Sequence, residues 1–387
     1  MNNDPGNNTA ASNSAASNSA ASNSAASNAA ASNAGANRGA ANLAASKLRV
    51  AVVGVSSLIG EAVIDELRAR KMTFAELHAL DDERSVGRPV PDEEGEAASK
   101  ALAVSDVAAF DFSRVDLAFF CGRSALSERY AEAAAAHAWV IDGSAAFRAR
   151  ADVPLVAADI NAEALDAVGA HGLIALPGSA SVALATALAP LHALAGLERA
   201  EVATYQAVSG SGRGAMDELA GETVAMLSGK KARGRAFGRQ IAFNVIPQVD
   251  SLDADGVSRE ERRLWEECRR VLGLPGLAIN ATAVRVPVFF GHSLAVHASF
   301  ARPLSVAEAT AVLQRGRGIS LIEADSPAEF PTPATLAMSP DKVYVGRLRG
   351  DLTRDRALNF WVVSDNVRKC AAHNAVSVAQ ILVNRPQ

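Results

Sequence analysis

The sequence has few cysteines, little net charge and no long apolar run. Its three cysteines, Cys121, Cys268 and Cys370, are too few and too far apart for a disulfide framework or a zinc cluster. We therefore expect no metal site and a reducing, cytoplasmic compartment. The net charge of -4 provides no basic field for nucleic acid or for an anionic membrane. No stretch of about 18 apolar residues occurs, which argues against a spanning helix, and the N-terminus lacks the pattern of a signal peptide.

The N-terminal segment 1–47 consists almost entirely of Ala, Ser, Asn and Gly. The repeat SNSAA starts at Ser12, Ser17 and Ser22. Serine and asparagine compete with helix for the backbone, and the segment has no large apolar side chain to bury. We predict a disordered extension without chemistry. The rest of the chain, about 340 residues, is long enough for about two domains.

Strand and helix patterns alternate from residue 48 to about 170, which is typical of a parallel, doubly wound α/β sheet. The first strand, 48–54, is apolar and β-branched, as expected for a strand buried on both faces. The other elements predicted in this part are helices at 60–71 and 127–137 and strands at 77–80, 115–121 and 139–142.

The pattern changes after Pro177. Strands now follow one another with few helices between them, which indicates a mixed or antiparallel sheet open on one face to a partner. The predicted strands are 199–208, 281–288, 295–300, 343–348 and 357–363, and the predicted helices are 182–194, 215–227, 260–272 and a closing helix at 366–383.

A glycine-containing turn joins the first strand to the first helix. Gly54 permits the tight turn, Gly60 permits close packing of helix on strand, and the helix N-terminus offers N–H groups to a pyrophosphate. Ser57 stands where a further glycine would let the backbone approach the phosphates, so we expect its Cβ and an unfavourable positive φ to hinder binding. The turn predicts dinucleotide binding; the alternative is a corner that binds nothing.

Charged residues follow the second strand, in the sequence DDERS at 81–85. An acid at this point hydrogen-bonds a ribose 2′-hydroxyl, whereas an arginine meets a 2′-phosphate. Asp81 and Asp82 repel a phosphate and Arg84 attracts one, so the choice between NAD and NADP stays open. A solvated charged loop is the simpler alternative.

Six segments occur in the order found in one family, and together they resemble aspartate-semialdehyde dehydrogenases. The segments are the turn 54–60, VIDGSAAFR at 140–148, PGSAS at 177–181, TYQAVSG at 204–210, VRVPV at 284–288 with GHS at 291–293, and DNVRK at 365–369. The resemblance implies a Rossmann domain at 48–176, completed by the helix within 364–387, and a central α+β domain at 177–363 for catalysis and dimerisation. It also implies NADP as cofactor, with NAD open, a substrate of the aspartyl phosphate or semialdehyde class, and a homodimer or tetramer.

The resemblance assigns chemical roles to three residues. His292 matches the acid/base, and imidazole suits that role because its pKa lies near neutrality. Gln206 matches the glutamine that positions the acyl group. Arg285 matches the arginine that holds the substrate carboxylate, for which a planar fork is suited. A loop histidine bonded to backbone is the alternative for His292.

Further binding residues follow from the same resemblance. Arg148 matches the phosphate-site arginine, Glu260 matches a substrate-binding glutamate, and Arg263 stands where the family has a lysine. The alternatives are a solvated loop for Arg148 and the solvated face of a charged helix for 260–263. The implied cofactor-binding residues are Gly54, Ser56, Ser57, Ile59, Gly60, Arg84, Ser85 and Asn366.

One position departs from the family in a way that affects its chemistry. The family's nucleophilic cysteine falls in a Pro-Asn-Cys-Ser-Thr stretch, and here Ser179 occupies the cysteine position. A thiol beside a helix N-terminus ionises readily, whereas a serine hydroxyl stays protonated and needs a base at the moment of attack. The chain thus resembles the cysteine-lacking, Usg-type paralogues. Cys121 and Cys268 are expected to pack, and Cys370 has a thiol that could enter the cleft.

Three functions are compatible with these sequence features. The first is a working NADP-dependent semialdehyde dehydrogenase, and the second is a non-catalytic dimer that still binds a dinucleotide or an acidic metabolite. The third is an acyl hydrolase that uses Ser179 and His292, for which no acid that orients His292 is assigned. We expect family membership with dehydrogenase activity weakened or lost.

Overall fold

The computed structural model describes residues 48–90, 102–232, 234–323, 326–338 and 341–385. The predicted N-terminal extension at 1–47 lies outside these ranges. Within them, no helix combines the length and the apolar character needed to cross a bilayer.

The first sheet is parallel throughout its described strands. They are β1 (Arg49–Val53), β2 (Glu76–Asp81), β3 (Ser105–Asp106), β4 (Leu117–Phe120), β5 (Trp139–Asp142) and β6 (Gly172–Ala175). Their order in space is β3-β2-β1-β4-β5-β6, which is the Rossmann order. In such a sheet ligands bind at the carboxyl ends of the strands, so the turns after β1, β2, β4 and β5 are the ones that matter for function.

Seven α-helices lie in the described ranges. They are α1 (Leu58–Ala69), α2 (Ser124–Ala135), α3 (Ser179–Ala195), α4 (Arg213–Leu227), α5 (Arg259–Val271), α6 (Val306–Gln314) and α7 (Asn374–Val383). The last helix returns to the first sheet, because Val376, Ala379 and Leu382 belong to the same buried cluster as Val50 and Val52. The C-terminal segment therefore completes the core of the first sheet.

The second sheet is mixed. Its described strands are β7 (Leu197–Gln206), β8 (Ala278–Arg285), β9 (His292–Phe300), β10 (Ile319–Ile322), β11 (Val343–Gly350) and β12 (Ala357–Ser364). They lie in the order β10-β11-β12-β9-β7-β8, with parallel pairing at both edges and antiparallel pairing in the middle. Helix α3 packs on one face of this sheet. Along β7, buried Val202 and Thr204 alternate with Glu201, Ala203 and Tyr205 on the open face.

The closing helix begins differently from the prediction of one continuous α-helix over 366–383. Residues Arg368–His373 form a π-helix, in which the N–H of Cys370 donates to the Asp365 carbonyl and the N–H of Ala372 to that of Val367. The Asp365 carboxylate accepts the N–H groups of Val367 and Arg368 and so starts the helix. The wider turn changes which side chains face the first domain.

Candidate active site

A cavity of about 430 Å³ is lined by residues of both sheet domains. All seven predicted catalytic and substrate-binding residues line it: Arg148, Ser179, Gln206, Glu260, Arg263, Arg285 and His292. Ile59 at the start of α1 and Asn366 before the π-helix line it as well. The cavity therefore joins the glycine-containing turn to the predicted catalytic residues.

Ser179 is the first residue of α3, at the positive end of the helix dipole. The preceding residue, Gly178, has no side chain to cap the helix, and its N–H donates to Glu267 Oε2 at 2.6 Å. An anion formed beside Ser179 would face N–H groups of the first helical turn. The position suits a nucleophile, but the group that occupies it is a hydroxyl.

His292, the first residue of β9, is 2% exposed. Its Nδ1 accepts the backbone N–H of Ala207 at 3.2 Å, so the proton of the neutral ring sits on Nε2. Burial, and secondly the nearby Arg285 cation, lower the pKa of His292 from 6.5 to about 3. At neutral pH the ring is therefore uncharged and presents a hydrogen-bond donor at Nε2.

Arg285, the last residue of β8, is 4% exposed and donates from Nη1 to the Ala207 carbonyl at 2.6 Å. Its guanidinium carbon lies 5.7 Å from the centre of the Phe237 ring. Burial lowers the pKa of Arg285 from 12.5 to about 10, and Glu260 opposes this shift. The group stays charged at neutral pH, and its Nε has no partner within the described residues. A buried cation with an unused donor is suited to a ligand carboxylate.

A polar wall of the cavity comes from β7 and α5. Gln206 donates from Nε2 to Glu260 Oε1 at 2.9 Å. Arg263 Nη1 lies 2.7 Å from Asp250 Oδ2 and 4.0 Å from Glu260 Oε2. Glu260 and Arg263 thus face the cavity, and the alternative of a purely solvated helix face is wrong for these two residues.

Arg148 and Glu267 form an ion pair at the edge of the cavity. Arg148 donates from Nη2 to the Gly143 carbonyl at 2.7 Å, and its Nη1 lies 3.5 Å from Glu267 Oε1. Glu267 is 2% exposed and holds Arg148 beside the Gly178 N–H. Sequence reasoning missed Glu267, although its i,i+7 spacing from Glu260 on α5 places both on one helix face.

The glycine turn is tightly packed. Gly54 has φ +76°, and a Cβ there would lie 2.4 Å from the Gly122 nitrogen. A Cβ on Gly60 would lie 2.4 Å from the Gly54 carbonyl oxygen. Ser57 differs from the expectation: it has φ -81° and caps α1, its Oγ accepting the Gly60 N–H at 2.9 Å. The residue needs no positive φ, so the backbone strain expected at Ser57 is absent.

The other predicted cofactor residues lie around this turn. The Ser56 N–H donates to Asp81 Oδ2 at 3.0 Å. Arg84 is exposed and Ser85 is buried on the short turn Glu83–Ser85 after β2, outside the cavity lining. Asn366 joins the two domains, since it accepts the Gly291 N–H at 3.0 Å and its side-chain amide bonds Ser209 Oγ at 3.0 Å.

Comparison with known proteins identifies the family. Two family models match: the NAD binding domain of semialdehyde dehydrogenase over residues 49–168, and the semialdehyde dehydrogenase dimerisation domain over 188–369. Aspartate-semialdehyde dehydrogenase of Legionella pneumophila is 39% identical over 334 residues, which are 86% of this chain and 95% of that protein. The chain belongs to the aspartate-semialdehyde dehydrogenase family.

Solved structures of aspartate-semialdehyde dehydrogenases share the fold. The Vibrio cholerae enzyme II is 38% identical, with a TM-score of 0.82 over 87% of this chain and 98% of that one, and has also been solved complexed with ASA. The Candida albicans enzyme, solved with NADP, is 22% identical with a TM-score of 0.65 over 87% of this chain and 98% of that one, and shows the fold alone. The predicted α/β fold with a Rossmann-type domain and a second sheet domain is confirmed, as is the predicted cofactor class, NAD(P).

None of the three thiols of this aspartate-semialdehyde dehydrogenase family member is suited to act as a nucleophile in the cavity. The Cys370 Sγ lies 3.3 Å from Ser364 Oγ, and burial raises its pKa to about 12. The neighbouring Val367 and Ala371 line the cavity instead, so the expectation that the Cys370 thiol could enter the cleft is wrong. Cys121 lines the cavity and Cys268 is fully buried, and burial raises the pKa of both thiols far above neutrality.

Proposed function

We propose that this chain binds a nicotinamide dinucleotide and an acidic ligand in the cavity, and that its dehydrogenase turnover is weak or lost. The turnover that we propose to be weak or lost is the NADP-dependent interconversion of aspartyl phosphate and aspartate semialdehyde. The observation that carries the proposal is Ser179 at the start of α3, in a cavity where Gln206, Arg285 and His292 are all present.

The cavity walls favour a small ligand with an anionic group at each end. Arg285 supplies a buried cation with an unused Nε donor, suited to a carboxylate. Arg148, whose Nε also lacks a partner within the described residues, lies next to Gly178 and lines the cavity together with Arg263, and both suit a phosphate or a second anion. Such a ligand resembles aspartyl phosphate or its semialdehyde.

The dinucleotide would be held by the turn at Gly54, by the start of α1 at Ile59 and by the loop at Asn366. When bound there, it supplies a hydride donor or acceptor. The residues present fit this group, because the two glycines leave no room for a Cβ and so allow the close turn that precedes the helix N-terminus.

Covalent chemistry at Ser179 lacks a base. A serine nucleophile requires a neighbouring acceptor for its proton. The Nδ1 of His292 already accepts the N–H of Ala207, and its other nitrogen, Nε2, carries a proton. A barrier raised by even about 5 kcal/mol lowers the rate by more than about 10³-fold. The same geometry weighs against the acyl hydrolase alternative.

We further propose a homodimer joined through the open face of the second sheet. Ala203, Ala295 and Trp361 lie side by side across β7, β9 and β12, and the Tyr205 ring centre is 5.6 Å from that of Trp361. Helices cover the other face. On this face the Pro331 carbonyl accepts the Trp361 indole N–H at 3.0 Å, and the surface around Ala203, Ala295 and Tyr205 is left for a second copy. The alternative function, a non-catalytic Usg-type paralogue, shares this assembly and both binding sites.

The test is a Ser179→Cys variant assayed with aspartate semialdehyde, phosphate and NADP, in parallel with the same assay in NAD. Wild type should show little or no phosphate-dependent reduction of the coenzyme, and Ser179→Cys should restore part of it. Restoration should vanish with a further His292→Ala change, since the ring would no longer hydrogen-bond the reacting acyl group. Ser211→Cys is the matched control, because it adds a thiol to the same cavity from the turn Val208–Ser211 and not from the start of α3.

Two outcomes would contradict the proposal. Robust wild-type activity would mean that Ser179 works as a nucleophile. An inactive Ser179→Cys protein that binds neither coenzyme in calorimetry would mean that the cavity no longer serves dinucleotide chemistry. An inactive variant that still binds a coenzyme favours the non-catalytic paralogue.

A further inference from the structure

The end of β2 carries an acid that the glycine turn holds in place. Asp81 is the last residue of β2 and is 8% exposed. Its Oδ2 accepts the N–H of Ser56 at 3.0 Å, and its Oδ1 accepts the N–H of Asp82 at 2.8 Å. The N–H of Gly54 donates to the Leu80 carbonyl at 2.8 Å, so the turn and the end of β2 are joined at two points. The Asp81 carboxylate is thus fixed beside the turn.

We propose that Asp81 makes this chain select NAD over NADP. The inference rests on the proposed function, because it requires a dinucleotide in the turn. In Rossmann domains an acid about 20 residues beyond the glycine turn, at the end of the second strand, hydrogen-bonds the ribose 2′-hydroxyl. Asp81 stands at that place in both sequence and structure.

The charge on Asp81 differs from that on its neighbour. The donors that fix Asp81 are uncharged backbone groups, and they leave its charge uncompensated. Asp82 is paired with Arg123, whose Nη2 lies 3.2 Å from Asp82 Oδ2. Arg123 follows β4 and Asp82 follows β2, so this ion pair crosses the carboxyl edge of the sheet above β1. Of the two acids, Asp81 is therefore the one that no cation among the described residues neutralises.

A ribose hydroxyl and a 2′-phosphate respond oppositely to this carboxylate. Each carboxylate oxygen has two acceptor sites, so Asp81 can accept a ribose O–H without losing its backbone bonds. A 2′-phosphate carries about -1.5 to -2 charge near neutral pH and mainly accepts hydrogen bonds. Like charges placed next to each other in an interface are strongly unfavourable. NAD gains a hydrogen bond at Asp81, and NADP meets repulsion there.

Arg84 would attract a 2′-phosphate, but its effect on coenzyme binding should be smaller than that of Asp81. It lies in the turn Glu83–Ser85, is exposed, and has Glu83 directly before it. An exposed cation is screened by water and salt, whereas a buried carboxylate is screened much less. The fixed, buried acid should therefore outweigh the exposed arginine.

The experiment is calorimetric titration of the full-length protein with NAD and, separately, with NADP. Wild type should bind NAD at least about tenfold more tightly than NADP. Asp81→Asn keeps the shape and one acceptor oxygen but removes the charge, so the two affinities should come within about threefold of each other. Glu76→Gln is the matched control, since it removes an exposed acid from the opposite end of β2 and should leave the ratio of affinities unchanged.

The ratio of the two affinities remains informative if a variant is partly unfolded, because partial unfolding weakens the binding of NAD and of NADP equally. Tighter binding of NADP than of NAD by wild type, or an unchanged ratio in Asp81→Asn, would overturn the selectivity of Asp81 and leave the proposed function standing. Absence of binding of either coenzyme to wild type would overturn both.

Discussion

The protonation state of His292 is set by one backbone hydrogen bond and by its burial. Nδ1 accepts from the Ala207 N–H, and the ring lies near the Arg285 cation in a nearly closed site. A cationic ring would lose the bond from Ala207 and would face Arg285 without water. The residue is therefore better suited to donate a hydrogen bond from Nε2 than to exchange protons near neutral pH.

This state predicts a pH-dependent stability. The pKa of His292 is lowered in the folded protein. Below pH 6.5 the unfolded chain therefore binds a proton that the folded chain does not bind, and the free energy of unfolding decreases as the pH is lowered. Between pH 7 and pH 5 the loss should be about 2 kcal/mol in the free energy of unfolding. Denaturant unfolding of wild type and His292→Gln at both pH values measures it. His171→Gln, at an exposed histidine, should follow wild type, and equal pH slopes in wild type and His292→Gln would contradict the assignment.

The resemblance of short sequence segments to the family was sufficient to find residues that line the cavity, but it did not find the side chains that hydrogen-bond to them. Arg148, Gln206 and Arg285 face it as expected. Glu267 was missed because its role depends on which face of α5 lies against Gly178, and sequence spacing does not give such a tertiary contact. The direction of Cys370 was wrong because a π-helix rotates the side chains relative to an α-helix, and no propensity marks that change.

At the scale of elements, the contact between β1 and α1 depends on the absence of a side chain at Gly60. A methyl group there would meet the backbone of Gly54 at 2.4 Å, and backbone cannot move aside as a flexible side chain can. Gly60→Ala should lower the free energy of unfolding by about 2–3 kcal/mol, measured by denaturant titration. Gly221→Ala, inside α4 with open space around it, should instead be neutral or stabilising by up to about 1 kcal/mol. A harmless Gly60→Ala change would show that the turn has room to relax.

Strands buried on both faces and amphipathic helices were predictable, whereas very short or half-buried strands were not. β1 and β5 are recognisable because they are β-branched and buried on both faces. β3 has only two residues, too few for any periodicity to emerge, and the four residues of β10 are mostly half-buried, unlike the four of β5. Helix α6 starts with a capping box at Ser305 and Glu308 that the sequence does contain, so this miss was avoidable.

At the scale of the whole molecule, the open face of the second sheet predicts self-association. Tyr205 is 36% exposed on this face, so a charge there should cost the single chain little but should disrupt an apolar interface. Wild type at micromolar concentration should sediment as a dimer, and Tyr205→Asp should shift it toward the monomer. Val86→Asp, at an exposed valine of the first domain, is the matched control and should stay dimeric. A monomeric wild type would exclude the proposed assembly.

The return of α7 to the first sheet has a consequence for biosynthesis. Val376, Ala379 and Leu382 fill the core around β1, yet a ribosome delivers them after every strand of both sheets. The second sheet, whose strands end at Ser364, can pair fully while the first still has an apolar groove open to water. During translation the nascent first domain is therefore the part that needs shielding by chaperones, and a stop codon shortly before residue 374 should yield a chain prone to aggregate even though both sheets are encoded.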